Sequence, residues 1–382
     1  MCSSDLLSVS AIATCFCSLM KMLDDASNIQ EELMAFMQLQ AVDDVAFNAM
    51  ALKLFKYQAQ WNLPYQRFCQ IRGKTPRTVT HWHDIPSVPI NAFKDLDLTC
   101  TPPADCERVF MTSGTTRGDV KGRHYHPSLL VYDTSMRLNF AQRFMHQKSK
   151  IRMGILFPTT KMMPNSSLAH YLELALTHFG TQGSQYFIDS AGLNIQGLAS
   201  TLQEIQKSGE PIALLGASYS WVHAMDQLDV LNLTFKLPAA SWLLDTGGFK
   251  GQSREIEIDH FYSQLSHHFG VPRSHCFNMY GMTELSTQLY DRGNETTPSV
   301  KQGPHWMRTR VIDPLSGKEK PKGEPGILVH TDLANYNSVT TILTEDVGIA
   351  TDEGFILLGR AQGAQAKGCS LAVDDFLQAA RL

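Results

Sequence analysis

Basic excess, paired cysteines and long apolar runs are all missing from this chain of 382 residues. Its 33 lysines and arginines fall short of its 37 aspartates and glutamates, for a net charge of −4. That balance argues against nucleic acid or an anionic membrane surface as a partner. No apolar run is long enough to span a bilayer. The eight cysteines, Cys2, Cys15, Cys17, Cys69, Cys100, Cys106, Cys276 and Cys369, include no C-x-x-C pair. Neither a zinc site nor a thioredoxin-like motif is therefore predicted, and thiols scattered this way suit a reducing cytoplasm. Leu6 to Met20 is fairly apolar, but Asp5 stands where a signal peptide carries positive charge, and no small-residue cleavage site follows. A helix or a ragged terminus is expected there. Internal repeats and low-complexity tracts are absent as well.

What is present reads as a large globular protein, with 43% hydrophobic and 18% charged residues. The length alone suggests two or three domains. Residues 1–95 read as a helical region and a connector. Ser27-Asn-Ile-Gln30 reads as a capping box with Leu33, Phe36 and Met37 on one face behind it. Asp43 or Asp44 is placed to cap a second helix running to Trp61. The proline-fixed stretch from Ile85 to Lys94 reads as extended. Residues 96–290 read as an α/β core. Apolar strands at 151–157, 212–215, 241–244 and 276–279 alternate with helices at 167–179, 195–206, 221–228 and 253–269. Strands without polar alternation, separated by amphipathic helices, predict a buried parallel sheet. Ligands of such sheets sit beyond the carboxyl ends of the strands. Residues 291–358, with turns at Asp313–Gly317, Gly323–Gly326 and Gly354, read as a small β subdomain. Residues 359–382 remain as a hinge and tail.

The stretch Phe110 to Gly122 concentrates hydroxyls and glycine. Thr112, Ser113, Thr115 and Thr116 surround Gly114, and Lys121 follows. Glycine lets backbone amides approach and converge on an anion, hydroxyls add neutral donors, and a lysine adds a point charge. These are the parts of a polyphosphate cradle, although a polar surface loop has the same composition. The P-loop pattern is not met, since Gly122 follows Lys121 where Ser or Thr is needed.

Four further segments follow in order. Leu244-Asp-Thr-Gly-Gly248 comes directly after a strand, where Gly247 and Gly248 could receive a flat ring or make an ordinary turn. Asn278-Met-Tyr-Gly-Met-Thr-Glu284 offers Tyr280 for stacking, Gly281 for close approach, Thr283 for a phosphate and Glu284 for a hard cation, or else a structural turn. Asp346 precedes a glycine, as a ribose acceptor or a surface acid does. Arg360 lies where the tail leaves the β subdomain.

Taken together and in this order, the segments resemble the adenylate-forming superfamily of acyl-CoA ligases, luciferases and peptide-synthetase adenylation domains. The resemblance implies ATP, Mg2+ and an acyl-adenylate intermediate. It implies that Thr112, Ser113, Gly114, Thr115 and Thr116 hold the β and γ phosphates. Tyr280, with Gly281 beside it, would stack adenine, with Gly247 and Gly248 on the other face. Thr283 would touch the α-phosphate, Glu284 would hold magnesium, and Asp346 and Arg360 would hold the ribose. Arg117 departs from the usual loop, and Lys121 falls one residue late. The superfamily also carries a C-terminal domain with a catalytic lysine, whereas 22 residues follow Arg360 here.

A branch with that shorter form, the LuxE-like acyl-protein synthetases of fatty-acid reductase complexes, is the nearer resemblance. It includes Phe93-Lys94, Lys121-Gly-Arg-His-Tyr125, Pro164-Asn-Ser-Ser-Leu168 and Lys367-Gly-Cys-Ser370. It implies that a fatty or other carboxylic acid passes from AMP to Cys369 and then to an acyl reductase partner. Lys367 and Gly368 are expected to lower the thiol's pKa and to open access to it. A buried, inert thiol is the ordinary alternative. His124 and His126 are further candidates for a phosphate contact. A CoA ligase for aryl or fatty acids, and a non-catalytic adenylate-binding scaffold, are the competing readings. Acyl chain length and oligomeric state are left open.

Overall fold

Four parallel strands, each buried along its whole length, form the spine of the central sheet: Arg152–Leu156, Ile212–Gly216, Trp242–Asp245 and Cys276–Tyr280. Their apolar runs need cover on both faces, and helices supply it. The computed structural model describes residues 5–113, 120–146, 148–248 and 253–381. Across the sheet the order is Leu289–Tyr290, Cys276–Tyr280, Trp242–Asp245, Ile212–Gly216, Arg152–Leu156 and Gln185–Tyr186. Only the Leu289–Tyr290 edge runs antiparallel. Helices Leu130–Arg143 and Ser167–Phe179 pack one face through Phe140, Phe144 and Tyr171. Helices Ile195–Ser208, Ser218–Val230 and Ile258–Phe269 pack the other through Leu202, Trp221 and Phe261.

The helix ends follow their local chemistry. Ser166 caps Ser167–Phe179 by accepting from the Ala169 amide at 3.2 Å, and Asn194 caps Ile195–Ser208 by accepting from Gly197 at 2.8 Å. The α/β architecture with a parallel sheet is the one expected.

The second sheet is antiparallel, in the order Val300–Lys301, Phe355–Arg360, Thr341–Ala350, Pro325–Asp332 and Met307–Ile312. The connector joins it: Val88–Pro89 pairs in parallel with Thr341–Ala350, Val88 opposite Ile342. Helices Asp44–Trp61 and Leu63–Ile71 pack against this sheet in one shared core, with Phe47, Leu54 and Tyr65 against Leu328, Ile342 and Phe355. Gln58 fastens the contact, donating to the Asn335 and Tyr336 carbonyls and accepting from the Thr340 amide.

Asp43 caps the second helix as expected, accepting from Ala46 at 2.8 Å. Ser27 does not begin a helix. It lies inside the continuous helix Asp5–Met37, because no glycine or proline interrupts that stretch and a serine is tolerated in a helix interior. The last residues form a helix as well, Gly363–Arg381. It docks through Phe376, whose ring lies 4.6 Å from that of Phe68, through an Arg72–Asp375 ion pair, and through Arg67 donating to the Ala380 carbonyl. Among the described residues no helix is long and apolar enough to cross a membrane.

Candidate functional site

The described ends of the glycine–threonine stretch lie on a two-stranded ribbon in which Arg108–Met111 pairs with Arg123–His126. Its base is closed by reciprocal bonds: the Thr112 amide donates to the Gly122 carbonyl at 3.0 Å, and the Gly122 amide donates to Thr112 Oγ1 at 2.9 Å. Thr112 therefore spends its oxygen on the loop, which leaves the hydroxyl proton to donate. Ser113 and Lys121 face solvent beside it. Gly114, Thr115 and Thr116 lie outside the described residues.

The Gly-Gly segment is held by an acid to which the sequence reading gave no role. Asp245, the last residue of its strand, is buried and accepts from Ser218 Oγ at 2.7 Å, Asn278 Nδ2 at 2.8 Å, Tyr262 Oη at 3.2 Å and the Gly247 amide at 3.2 Å. Burial raises its pKa and these four donors oppose the rise. Gly247 at φ 71° and Gly248 at φ 83° occupy the left-handed region that favours glycine.

The next strand ends in Tyr280-Gly-Met-Thr-Glu284. The Tyr280 hydroxyl donates to Asp346 Oδ2 at 2.7 Å, and its ring packs edge-on against Phe355. The Thr283 carbonyl meets His124 Nδ1 at 3.0 Å. Glu284 is 4% exposed and forms no salt bridge among the described residues. Its pKa is pushed up to about 7, first by burial, against the opposing pull of its own amide and of the Arg360 and Lys94 charges. A Cβ on Gly122 would stand 3.0 Å from Glu284 Oε1, so the loop base and this carboxylate nearly touch. Asp332 fixes the following turn, accepting from the Ser286 and Thr287 amides at 3.0 and 2.8 Å.

Asp346 and Arg360 are register partners on adjacent strands. The guanidinium lies 3.5 Å from both Asp346 Oδ1 and Glu345 Oε2, and its side chain is 66% exposed. The structure thus brings together Thr112, Gly122, Tyr280, Thr283, Glu284, Asp346 and Arg360 from loops that the sequence separates.

A cavity of about 360 Å³ opens beside them. Thr112, Ser113, Lys121, Gly281 and Thr283 are among its polar lining, with Asn165, Ser166, Ser167 and Gln288, and Met111, Phe157, Met162, Met163, Met279 and Met282 are among its apolar lining. Thioethers fill irregular space and adapt to shape, which suits a flexible apolar guest. No sequence signal marked these methionines as cavity lining; they come from three separate segments.

Three expectations are corrected. His124 and His126 are buried, not poised on a phosphate. Burial pushes His124 down to about 4, with its bond to Thr283 opposing, and drives His126 well below the usual range. His124 instead pins the Thr283 backbone. Cys369 is not an activated thiol in this conformation. It is 3% exposed, in a core with Ile312, Ile327, Val329 and Leu343, with Sγ 3.7 Å from the Thr344 carbonyl. Burial, then the nearby Glu345 charge, pushes it up to about 11. Gly368 does not open access either: its Cβ position is 3.1 Å from Pro314 Cβ, so the Asp313–Gly317 turn seals the helix there.

Comparisons with known proteins fit this geometry. The family described as "Acyl-protein synthetase, LuxE" matches residues 35–378. The chain is similar to the long-chain-fatty-acid--luciferin-component ligase of Vibrio harveyi, at 22% identity over 339 residues, 85% of this chain and 86% of that protein. It is 32% identical over 132 residues to the putative acyl--CoA ligase YdaB of Bacillus subtilis (strain 168), which covers 30% of this chain and 24% of that one. Among solved structures, 2-hydroxyisobutyryl-CoA ligase in the postadenylation state with 2-HIB-AMP superposes with a TM-score of 0.62 at 13% identity, over 83% of this chain and 67% of that one. ATP-bound MatB from Rhodopseudomonas palustris gives 0.50 at 16% identity, over 68% and 49%. At such identities these two structures share the fold.

Proposed function

The chain belongs to the LuxE family of acyl-protein synthetases, and we propose that it joins a carboxylic acid, a fatty acid in this reading, to AMP and then to its own Cys369. The observation that carries this is Glu284, a buried carboxylate with no salt-bridge partner among the described residues, set against the base of a hydroxyl-rich loop and next to Thr283, which lines the cavity. A buried carboxylate raised toward neutrality is a group waiting for a cation. The oxygen chemistry fits Mg2+, which would be held by Glu284 and would neutralise phosphate charge.

In this reading Thr112, Ser113 and Lys121 face the phosphates of ATP, together with Gly114, Thr115 and Thr116. Asp346 and Arg360 take the ribose, Thr283 the α-phosphate, and Tyr280, Gly281, Gly247 and Gly248 the adenine. The acid's alkyl chain lies along the methionines. A carboxylate oxygen bonds to the α-phosphorus, the bond from that phosphorus to the bridging oxygen breaks, and the electron pair leaves on pyrophosphate. The Cys369 thiolate then attacks the acyl carbon, AMP leaves, and the thiol proton passes to solvent. For this the C-terminal helix must leave its core. Gly359 at φ 129° and Gly363 at φ 57° flank Arg360, where loop residues can absorb the rotation. The thioester keeps the acyl group activated for an acyl reductase, in a compartment reducing enough to keep the thiol free.

Incubation with ATP, Mg2+ and labelled fatty acid tests the reading. The protein should carry a hydroxylamine-labile label, and Cys369→Ser should lose that label yet keep acid-dependent pyrophosphate exchange. Formation of acyl-CoA from free CoA, at equal rates with and without Cys369, would replace this reading with a CoA ligase.

A further inference from the structure

We propose that Lys94 is a catalytic residue of acyl-adenylate formation, the cation that meets the reacting carboxylate and the α-phosphate beside Glu284. The inference rests on the acyl-adenylate reading above. Lys94 belongs to the short helix Ala92–Asp95, which follows directly on the strand Val88–Pro89 that the antiparallel sheet captures. Its neighbour Phe93 is fully buried. The Phe93 Cβ lies 3.7 Å from the Cβ position of Gly122, the same point that stands 3.0 Å from Glu284 Oε1 and 3.2 Å from Thr112 Cγ2. The Phe93 ring also packs edge-on to His124, which pins Thr283. Phe93 thus anchors the short helix that carries Lys94 beside the loop base and the Thr283–Glu284 turn. On its other side Asn91 bonds to Glu345, next to Asp346.

Lys94 is exposed and makes no ion pair among the described residues. Arg360 is already engaged by Glu345 and Asp346. Among the described residues, Lys94 and Arg360 are cations whose charge reaches Glu284. A lysine held this close and left without a partner is an electrostatic resource, and its ammonium can follow charge on a flexible stem.

The reaction needs such a group. A carboxylate must approach a phosphate that is also anionic, forming the oxygen–phosphorus bond while the bond to the pyrophosphate oxygen breaks. No proton moves. An ammonium between the two lowers the repulsion and follows the charge into the transition state.

The test is acid-dependent pyrophosphate exchange in Lys94→Met and Lys94→Arg. Loss of one preorganised electrostatic partner lowers kcat by about 10²–10³. Lys94→Met should fall in that range with its ATP affinity within about threefold of wild type, and Lys94→Arg should recover part of the loss. Acyl-adenylate supplied ready-made should still label Lys94→Met at the wild-type rate, because the lysine acts before the thiol. A readout independent of turnover is acetylation of the lysine amines followed by mass spectrometry. A non-reactive acyl-sulfamoyl adenosine should slow modification of Lys94 several-fold, and free fatty acid alone should not. Exchange in Lys94→Met within twofold of wild type, or acetylation of Lys94 indifferent to the analogue, would overturn the assignment while leaving the acyl-adenylate reading standing. A wild-type protein without exchange would overturn both.

Discussion

Tyr280 and Asp346 are joined by a 2.7 Å hydrogen bond that ties the end of the parallel sheet to the antiparallel one. His330 Nε2 also reaches the same hydroxyl, at 3.2 Å, and burial pushes that imidazole down to about 3, so it stays neutral. The tyrosine is thus oriented by its hydroxyl, and Asp346 is oriented by the tyrosine. Tyr280→Phe keeps the ring and frees the acid. A hydrogen bond to a charged group contributes about 1.5–3 kcal/mol, so nucleotide affinity should weaken by roughly one to two orders of magnitude. Calorimetric titration with ATP checks it; unchanged affinity would remove Asp346 from the ribose site.

Glu284→Gln should separate function from stability. The folded carboxyl is raised to about 7 from 4.5, first by burial. Between those values the folded state holds a proton that the unfolded state has lost. Stability therefore falls as pH rises through that window, and the full penalty is present above 7. The shift corresponds to a few kcal/mol at most, about 1.4 kcal/mol per unit. At pH 8 the glutamine protein should melt higher than wild type, with a flatter dependence of stability on pH between 5 and 7, and should show no exchange. A lower Tm at pH 8 would mean that Glu284 is already compensated in the fold.

Gly122→Ala tests the approach of the loop base to the carboxylate. The added carbon would sit 3.0 Å from Glu284 Oε1 and 3.2 Å from Thr112 Cγ2, so one of them must shift. Overpacking of this kind costs about 1–3 kcal/mol. Exchange should drop at least tenfold while the circular dichroism spectrum keeps its wild-type form. Wild-type exchange would show that the loop does not need Glu284 in contact.

The Cys369 thiol should resist alkylation in the protein alone. With its pKa near 11, the thiolate fraction at pH 7 is about one in ten thousand, and the sulfur is covered. Gly368→Val should lever the helix off Pro314 and speed iodoacetamide modification of Cys369 at least several-fold. Peptide mapping gives the rate. Rapid modification of the wild-type residue would contradict the docked helix.

Local chemistry was legible and tertiary chemistry was not. Asp43 capped a helix because the cap needs only the next three residues, and the four central strands were readable because a strand buried on both faces has no polar alternation. Ser27 misled because a capping box is also an ordinary run inside a long helix. The site motifs were readable as a series, since the glycine–threonine, Gly-Gly and Tyr280–Glu284 motifs each follow the end of a strand. What each residue does inside its motif was less so. Asp245 gains its role from Ser218, Tyr262 and Asn278, which stand 27, 17 and 33 positions away. Lys367 and Gly368 suggested an open thiol, but the burial of Cys369 comes from strands and a turn that precede it.

The pairing of Val88 with Ile342 has a bearing on how the chain is made. The central sheet draws its parallel strands from residues 152 to 280, so it can assemble once that stretch has left the ribosome. The helices of the first quarter cannot complete their core then, because Leu328, Ile342, Phe355 and Phe376 have not been synthesised. Their apolar faces wait through most of translation, while the middle of the protein folds before its beginning. Surface left waiting in this way invites association with other chains. Overproduction at high temperature should therefore drive aggregation through the N-terminal helices; slower synthesis of the middle lengthens the wait and should lower the soluble yield, and faster synthesis of the end shortens it and should raise the yield.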